Sequence, residues 1–173
     1  MQDDVSDGVR AMIDQGIADA KRVCIVGHSY GGYSALAGAA FTPELYRCAV
    51  SINGVSDLPE MLSYEKRHMG DESGAFAYWQ DHIGSPFDKD VIAKSPAKAA
   101  SHVTVPVLLM HATQDTIVPI NQSEAMARAL EQAKKPVTFI KLDGEDHWLS
   151  RSATRERALA EIEKFLAVNL QAN

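Results

Sequence analysis

Short apolar runs alternate with helical patterns along this chain. Val23-Cys24-Ile25-Val26 is a continuous apolar run, the pattern of a strand buried on both faces. Residues 48–52, 105–110 and 137–140 repeat it, and Pro106 stands at the start of the third run, where its missing N–H costs least. Between these runs the period lengthens. Val5, Val9, Met12, Ile13 and Ile17 recur at helical spacing and predict a helix over 4–19. An Ala-rich stretch starting near Gly32 predicts a second helix ending near residue 40. Asn121 is placed to cap a third over 122–133, and Leu159, Ile162, Leu166 and Leu170 mark one face of a terminal helix. Strands separated by helices imply an α/β fold: a mainly parallel sheet of about four strands with helices on both faces.

Residues 57–104 break the rhythm. They set Met61, Met69, Phe76, Tyr78, Trp79 and Phe87 among many polar residues. This segment reads as an irregular helical excursion over the end of the sheet where site walls usually lie, with Met61, Met69, Phe76 and Trp79 as the expected substrate-pocket residues. No repeat, low-complexity stretch or linker interrupts the chain, so residues 1–173 read as a single domain.

Composition narrows the classes. The chain is 46% hydrophobic and 23% charged, as ordinary globular proteins are. A formal net charge of -6 argues against nucleic acid and anionic membranes as partners. No apolar run approaches the ~18 residues of a membrane span. The start, Met1-Gln2-Asp3-Asp4, is acidic and does not read as a signal peptide, so a cytoplasmic location is expected. Cys24 and Cys48 lie in two strand-like runs and are expected as a reduced, buried pair, a disulfide being the alternative. Histidines and acids lack metal-ligand spacing and there is no phosphate-binding glycine loop, so neither metal nor cofactor is expected.

The chemistry concentrates in Gly27-His28-Ser29-Tyr30-Gly31, a G-x-S-x-G between a predicted strand and a predicted helix. That context is the nucleophile elbow of α/β-hydrolases, a sharp strained turn that holds a serine hydroxyl above the sheet. Gly27 and Gly31 are expected to be required because a Cβ at either would clash across the turn. A serine hydroxyl needs a base, and in this fold the partners follow in the order Ser, acid, His. His147, just past the fourth run, is the expected base, and Asp115, just past the third, the acid that orients it. His28 is expected to point elsewhere, His68, His82 and His102 to lie at the surface, and His111 to be a hydrogen-bonded structural residue. Asp143 and Asp146 read as solvated loop charges. The backbone N–H of Tyr30 is the expected oxyanion donor.

These residues carry a family resemblance. Gly27-His28-Ser29-Tyr30-Gly31-Gly32-Tyr33, Ser95-Pro96, His111-Ala112-Thr113-Gln114-Asp115 with Val118-Pro119, and Gly144-Glu145-Asp146-His147 together resemble the catalytic domain of the prolyl oligopeptidase family of serine peptidases, above all its acylaminoacyl-peptidase and dipeptidyl-peptidase branches. The resemblance implies Ser29, Asp115 and His147 as nucleophile, acid and base. Two positions depart from the usual pattern: Ala112 and Asp146 stand where family members usually carry Gly. Members also carry a β-propeller and several strands ahead of the nucleophile strand, where this chain has one helix. The chain therefore resembles an N-terminally truncated hydrolase domain, a fragment or a very short form, without the propeller and without the loop that supplies a second oxyanion donor.

Serine-hydrolase activity on short acyl esters, with residual peptidase activity, is the expectation. Losing one oxyanion donor costs about 3–4 kcal/mol and penalises the harder amide most. A catalytically weak or inactive, self-assembling fragment is the alternative; a dienelactone hydrolase of the same fold would usually carry Cys in place of Ser29. With its neighbour strand absent, 23–27 becomes a sheet edge beside an exposed apolar patch, and a homodimer or higher homo-oligomer is expected, either by pairing these edges or by helix packing without strand pairing.

Overall fold

Each apolar run forms a strand. In the computed structural model, which describes residues 2–70 and 74–171, these are β1 (Cys24–His28), β2 (Cys48–Ile52), β3 (Val107–Ala112) and β4 (Val137–Leu142). Among the described residues they make one parallel sheet in the order β1-β2-β3-β4. The helices are α1 (Gln2–Asp14), α2 (Tyr30–Phe41), α3 (Leu58–Met69), α4 (Gly74–Ile83), α5 (Lys89–Ala93), α6 (Asn121–Gln132) and α7 (Ser152–Asn169). None of them is long and apolar enough to cross a membrane.

The pleat of the strands sorts the core into two layers. Ala49, Val107 and Leu109 face Leu36 and Ala39 of α2 and Met126 and Leu130 of α6. The alternate residues Val50, Leu108, Met110 and Leu142 face Ala158, Ile162 and Phe165 of α7. The central strands β2 and β3, covered on both faces, are buried along their whole length, while β1 and β4 at the sheet edges stay partly exposed. A third cluster joins the excursion to the rest: Leu58, Met61 and Leu62 of α3 and Val91 of α5 pack with Val55 and Val118, against which Tyr33, Tyr64 and Trp79 lean.

Several local expectations change. The first helix stops at Asp14 because Gly16, at φ 69°, reverses the chain, with Gly16 N–H on the Ile13 carbonyl and Ile17 N–H on that of Met12. The buried stripe of α7 is Ala158, Ile162 and Phe165, and Leu159 turns outward at 67% exposure. Ile120, not Asn121, is the cap residue of α6. Among its described residues, the segment 57–104 is helical, carrying α3, α4, α5 and a 3-10 stretch over Pro96–His102. Its first helix is set by Asp57, whose carboxylate accepts from Glu60 N–H (3.3 Å), by Pro59 in the opening turn, and by an ion pair to Lys98 (2.6 Å). Cys24 and Cys48 are direct register partners, Cα atoms 4.7 Å apart, and form a disulfide, which corrects the expected reduced pair. Nothing in a 24-residue separation shows which residues of two strands will stand opposite each other.

β1 is the sheet edge foreseen from its place in the chain. Among the described residues it pairs with β2 alone, and Val26 on it is 43% exposed.

The turn from β1 into α2 takes one residue. Ser29 sits at φ 58°, ψ -121°, in the left-handed half of backbone space that costs a non-glycine residue about 1–3 kcal/mol. Close packing holds it there. A Cβ on Gly27 would be driven into the Gly31 carbonyl, and one on Gly32 would stand 2.7 Å from Gly54 Cα and 2.8 Å from Ser51 Oγ. A Cβ on Gly31 would meet open space. The steric demand expected at Gly27 and Gly31 thus falls on Gly27 and Gly32.

Urea unfolding tests that reassignment. Gly27→Ala and Gly32→Ala are each expected to lose at least the roughly 1–3 kcal/mol of overpacking, whereas Gly31→Ala stays within about 1 kcal/mol of wild type. Equal losses at all three glycines would contradict it.

Candidate active site

A parallel sheet gathers its strand ends, and at the C-terminal end of this one four loops meet. Ser29 follows β1, Asn53 follows β2, Asp115 follows β3 and His147 follows β4. Residues 118 positions apart in sequence come into contact there: Ser29 Oγ lies 2.9 Å from His147 Nε2. On the other side of the ring, His147 Nδ1 lies 2.7 Å from Asp115 Oδ2. A carboxylate only accepts, so Nδ1 carries the proton and Nε2 presents its lone pair to the serine hydroxyl. His147 and Asp115 are buried and Ser29 is half-buried. This arrangement can take a proton from the serine, hold it on a ring stabilised by a buried carboxylate, and return it to a leaving group.

The loop after β3 is built around Asp115. Its Oδ1 accepts the N–H groups of Ile117 and Val118 (2.9 Å each), leaving Oδ2 for His147. Tyr64 of α3 reaches over to donate its hydroxyl to the Thr116 carbonyl (2.8 Å). The loop after β4 is shaped by the two residues before the base. Asp146 accepts from Trp148 N–H, Ser150 N–H and Ser150 Oγ–H, and the Ser150 hydroxyl above all holds its carboxyl below the usual range. Glu145, buried, accepts Asp146 N–H and lies 3.4 Å from Arg151 Nε. Asp146 is therefore a turn-former as well as a partly exposed loop charge. The two loops are tied together by Gln114 N–H on the Glu145 carbonyl (2.9 Å) and Gly144 N–H on Thr113 Oγ1 (2.8 Å).

The remaining sequence candidates distribute clearly. Tyr30 opens α2, so its backbone N–H lies beside Ser29 at the positive end of the helix dipole. Met61 and Phe76 are buried, Met61 in the third cluster, and half-buried Trp79 leans against that cluster. Met69 ends α3, and its side chain lies outside the described residues. Large apolar side chains that do face solvent sit one or two positions from each of the three aligned residues: Tyr30 (50% exposed), Ile117 (47%) and Trp148 (70%), the last edge-on to the His147 ring at 5.1 Å between centroids.

His111 is the structural histidine expected of it. Fully buried, it bonds Ser123 Oγ (2.7 Å) and the Val118 carbonyl (2.9 Å). Burial pushes its pKa down, against the pull of the Val118 carbonyl and Asp115. Half-buried His28 is likewise pushed down, chiefly by desolvation. His28 does not point away from the site, as expected from sequence: its Nε2 lies 2.7 Å from the His147 carbonyl oxygen. Asn53, buried and at φ 48°, was not singled out at all, yet it bonds the same carbonyl through Nδ2 (3.0 Å) and accepts Ala112 N–H through Oδ1 (2.8 Å). An asparagine directly after a fully buried strand was the available signal, since Asn tolerates the left-handed region.

Comparison with known proteins places the chain and its fold. The model of the prolyl oligopeptidase family matches residues 1–173. Dipeptidyl aminopeptidase BIII of Pseudoxanthomonas mexicana is 30% identical over 171 residues, covering 96% of this chain and 24% of its own length. A puromycin-hydrolyzing peptidase of Mycobacterium tuberculosis superposes with a TM-score of 0.83 at 29% identity, over 96% of this chain and 24% of that one. Pyrococcus horikoshii acylaminoacyl peptidase shares the fold, with a TM-score of 0.84 at 22% identity over 98% of this chain and 28% of that one. The chain spans about a quarter of the length of the relatives it matches.

The depressed histidines set a pH dependence of stability. Folded, His111 stays neutral; unfolded, it takes a proton near its ordinary value of 6.5. The unfolded state then binds more protons, so stability present at neutral pH is lost as pH falls below about 6.5, by at most ~1.4 kcal/mol per pH unit for one such group. Buried Glu65, its pKa raised by desolvation, works in the opposite direction. The urea midpoint is therefore expected to fall from pH 7.5 to 5.5 in wild type and to fall less in His111→Gln. Equal slopes in the two proteins would contradict the assignment.

Proposed function

This chain belongs to the prolyl oligopeptidase family, and on that footing we propose that it forms the catalytic part of a serine hydrolase that cleaves peptide and acyl ester bonds through an acyl-enzyme. Ser29 is the nucleophile, His147 the general base and Asp115 the residue that orients it. The observation that carries this reading is the relay from Ser29 Oγ to His147 Nε2 (2.9 Å) and from His147 Nδ1 to Asp115 Oδ2 (2.7 Å).

The chemistry follows from that relay. Ser29 Oγ attacks the substrate carbonyl while its proton passes to His147 Nε2. Asp115 stabilises the imidazolium that results without taking the proton itself. The carbonyl oxygen becomes an oxyanion, for which the Tyr30 N–H at the helix N-terminus is the assigned donor. Collapse breaks the bond to the alcohol or amine, which leaves with the proton from Nε2. A water molecule, deprotonated by His147, then attacks the acyl-enzyme and releases the acid, restoring the serine.

Short acyl esters are the proposed preferred substrates. An ester carries a better leaving group than an amide and asks less of the oxyanion site. The exposed apolar side chains Tyr30, Ile117 and Trp148 near the relay suit an uncharged acyl group.

Steady-state kinetics on a short p-nitrophenyl ester and on a peptide arylamide test both levels. Ser29→Ala, His147→Ala and Asp115→Asn are each expected to lower kcat by roughly 10⁴-fold or more. A His147→Ala protein with wild-type turnover sinks the relay. A higher kcat/KM on the arylamide than on the ester sinks the ester preference alone.

A further inference from the structure

Neither His28 nor Asn53 takes part in the steps above, yet both donate to one acceptor, the backbone carbonyl of His147. His28 Nε2 stands 2.7 Å from that oxygen and Asn53 Nδ2 3.0 Å from it, and the two nitrogens are themselves 3.4 Å apart. A carbonyl only accepts, so His28 Nε2 bears a proton in this arrangement. The donors come from different elements. His28 is the last residue of β1, immediately before the serine, and Asn53 follows β2.

Each donor is itself held. Asn53 donates its own N–H to the Met110 carbonyl (2.9 Å) and accepts Ala112 N–H on Oδ1 (2.8 Å), so both its backbone and its side chain are fixed to β3. This position needs an acceptor, a donor and tolerance of φ 48° in one short side chain, which Asn supplies. His28 is carried by the strand that ends in the elbow, and its ring packs 4.8 Å from the His147 ring.

We propose that His28 and Asn53 are positioning residues for the hydrolytic reaction, a two-donor clamp on the His147 carbonyl that sets the distance between the base and Ser29. The inference rests on the relay proposed above. Ser29 and His28 are consecutive, so the clamp ties the backbone of the base to the residue beside the nucleophile. With the His147 peptide fixed on β1 and β2 and its ring fixed by Asp115, Nε2 has one place to stand. Desolvation pushes the His28 pKa down, against the pull of the His147 carbonyl and Asp115, which favours the neutral ring beside one that becomes positive during turnover.

The test is p-nitrophenyl butyrate hydrolysis by the full chain and its variants, each checked for an unchanged urea midpoint and circular dichroism spectrum. His28→Phe keeps a ring but removes the donor; kcat is expected to fall about 10- to 100-fold with KM within about 3-fold, the scale of a misplacement near 1 Å. His28→Gln restores an N–H and is expected to recover most of that loss. Asn53→Asp keeps the Ala112 acceptor and tolerance of the left-handed region while replacing the donor with an anion, and is expected to lower kcat on the same scale. The double variant should lose less than the product of the single losses, because both donors serve one carbonyl. Wild-type kcat in folded His28→Phe or Asn53→Asp, or no recovery in His28→Gln, overturns the clamp. Ser29→Ala separates the two claims: a dead Ser29→Ala beside a fully active His28→Phe removes the clamp alone, whereas an active Ser29→Ala removes the relay and the clamp with it.

Discussion

The structure depends on how closely α2 approaches the first two strands. At Gly27 and Gly31 backbone packs on backbone across the turn, and at Gly32 and Gly54 helix packs on the loop after β2, with distances that leave no room for a Cβ at Gly27 or Gly32. This contact lets the chain pass from strand to helix through Ser29 alone. A residue at φ 58° is unfavourable by itself, so the surrounding packing must over-determine it. The consequence is positional. The serine stands at the C-terminal end of the sheet, with a helix N-terminus beside it and the ends of three further strands within reach.

Those three strand ends do the remaining work through local hydrogen bonding rather than bulk. Asp115 is fixed by two backbone donors of its own turn, so one oxygen is committed and the other is left to the imidazole. Asp146 folds the loop that presents His147, and Thr113 and Gln114 join that loop to the one carrying Asp115. Burial makes each of these bonds count for more, because in a low-dielectric site an unpaired polar group is costly. Tyr64 and the third hydrophobic cluster tie the segment from residue 57 to the acid loop, so the helices over the site also brace it.

The parts of this design that rest on short-range pattern were readable in the chain. Strands buried on both faces announce themselves as apolar runs, and the elbow, the order Ser29, Asp115, His147 and the family resemblance all lie in local motifs. What escaped depends on contacts between distant residues. The disulfide follows from register, which places Cys24 against Cys48. The demand for glycine at position 32 rather than 31 follows from what lies opposite, Gly54 and Ser51. His28 looked idle because its partner is a backbone carbonyl 119 residues away, and Asn53, though its place after a buried strand was a signal, bonds that same carbonyl 94 residues away. Leu159 shows the limit of periodicity: its spacing fits one stripe, while the sheet receives the neighbouring one. The helix starting at Leu58 was within reach, since Asp57, Pro59 and Glu60 form a recognisable start, but the mixed Met, aromatic and polar residues beyond it hide the period.

On the proposed mechanism, the fold itself makes Ser29 nucleophilic. A fluorophosphonate probe reacts with a serine only where a base and an aligned geometry make it nucleophilic. Peptide mapping after labelling of the native chain is predicted to find the phosphonate on Ser29, in native protein and not in heat-denatured protein, and to find it lost in His147→Ala. Label on another residue, equal labelling after denaturation, or undiminished labelling of His147→Ala would contradict the account.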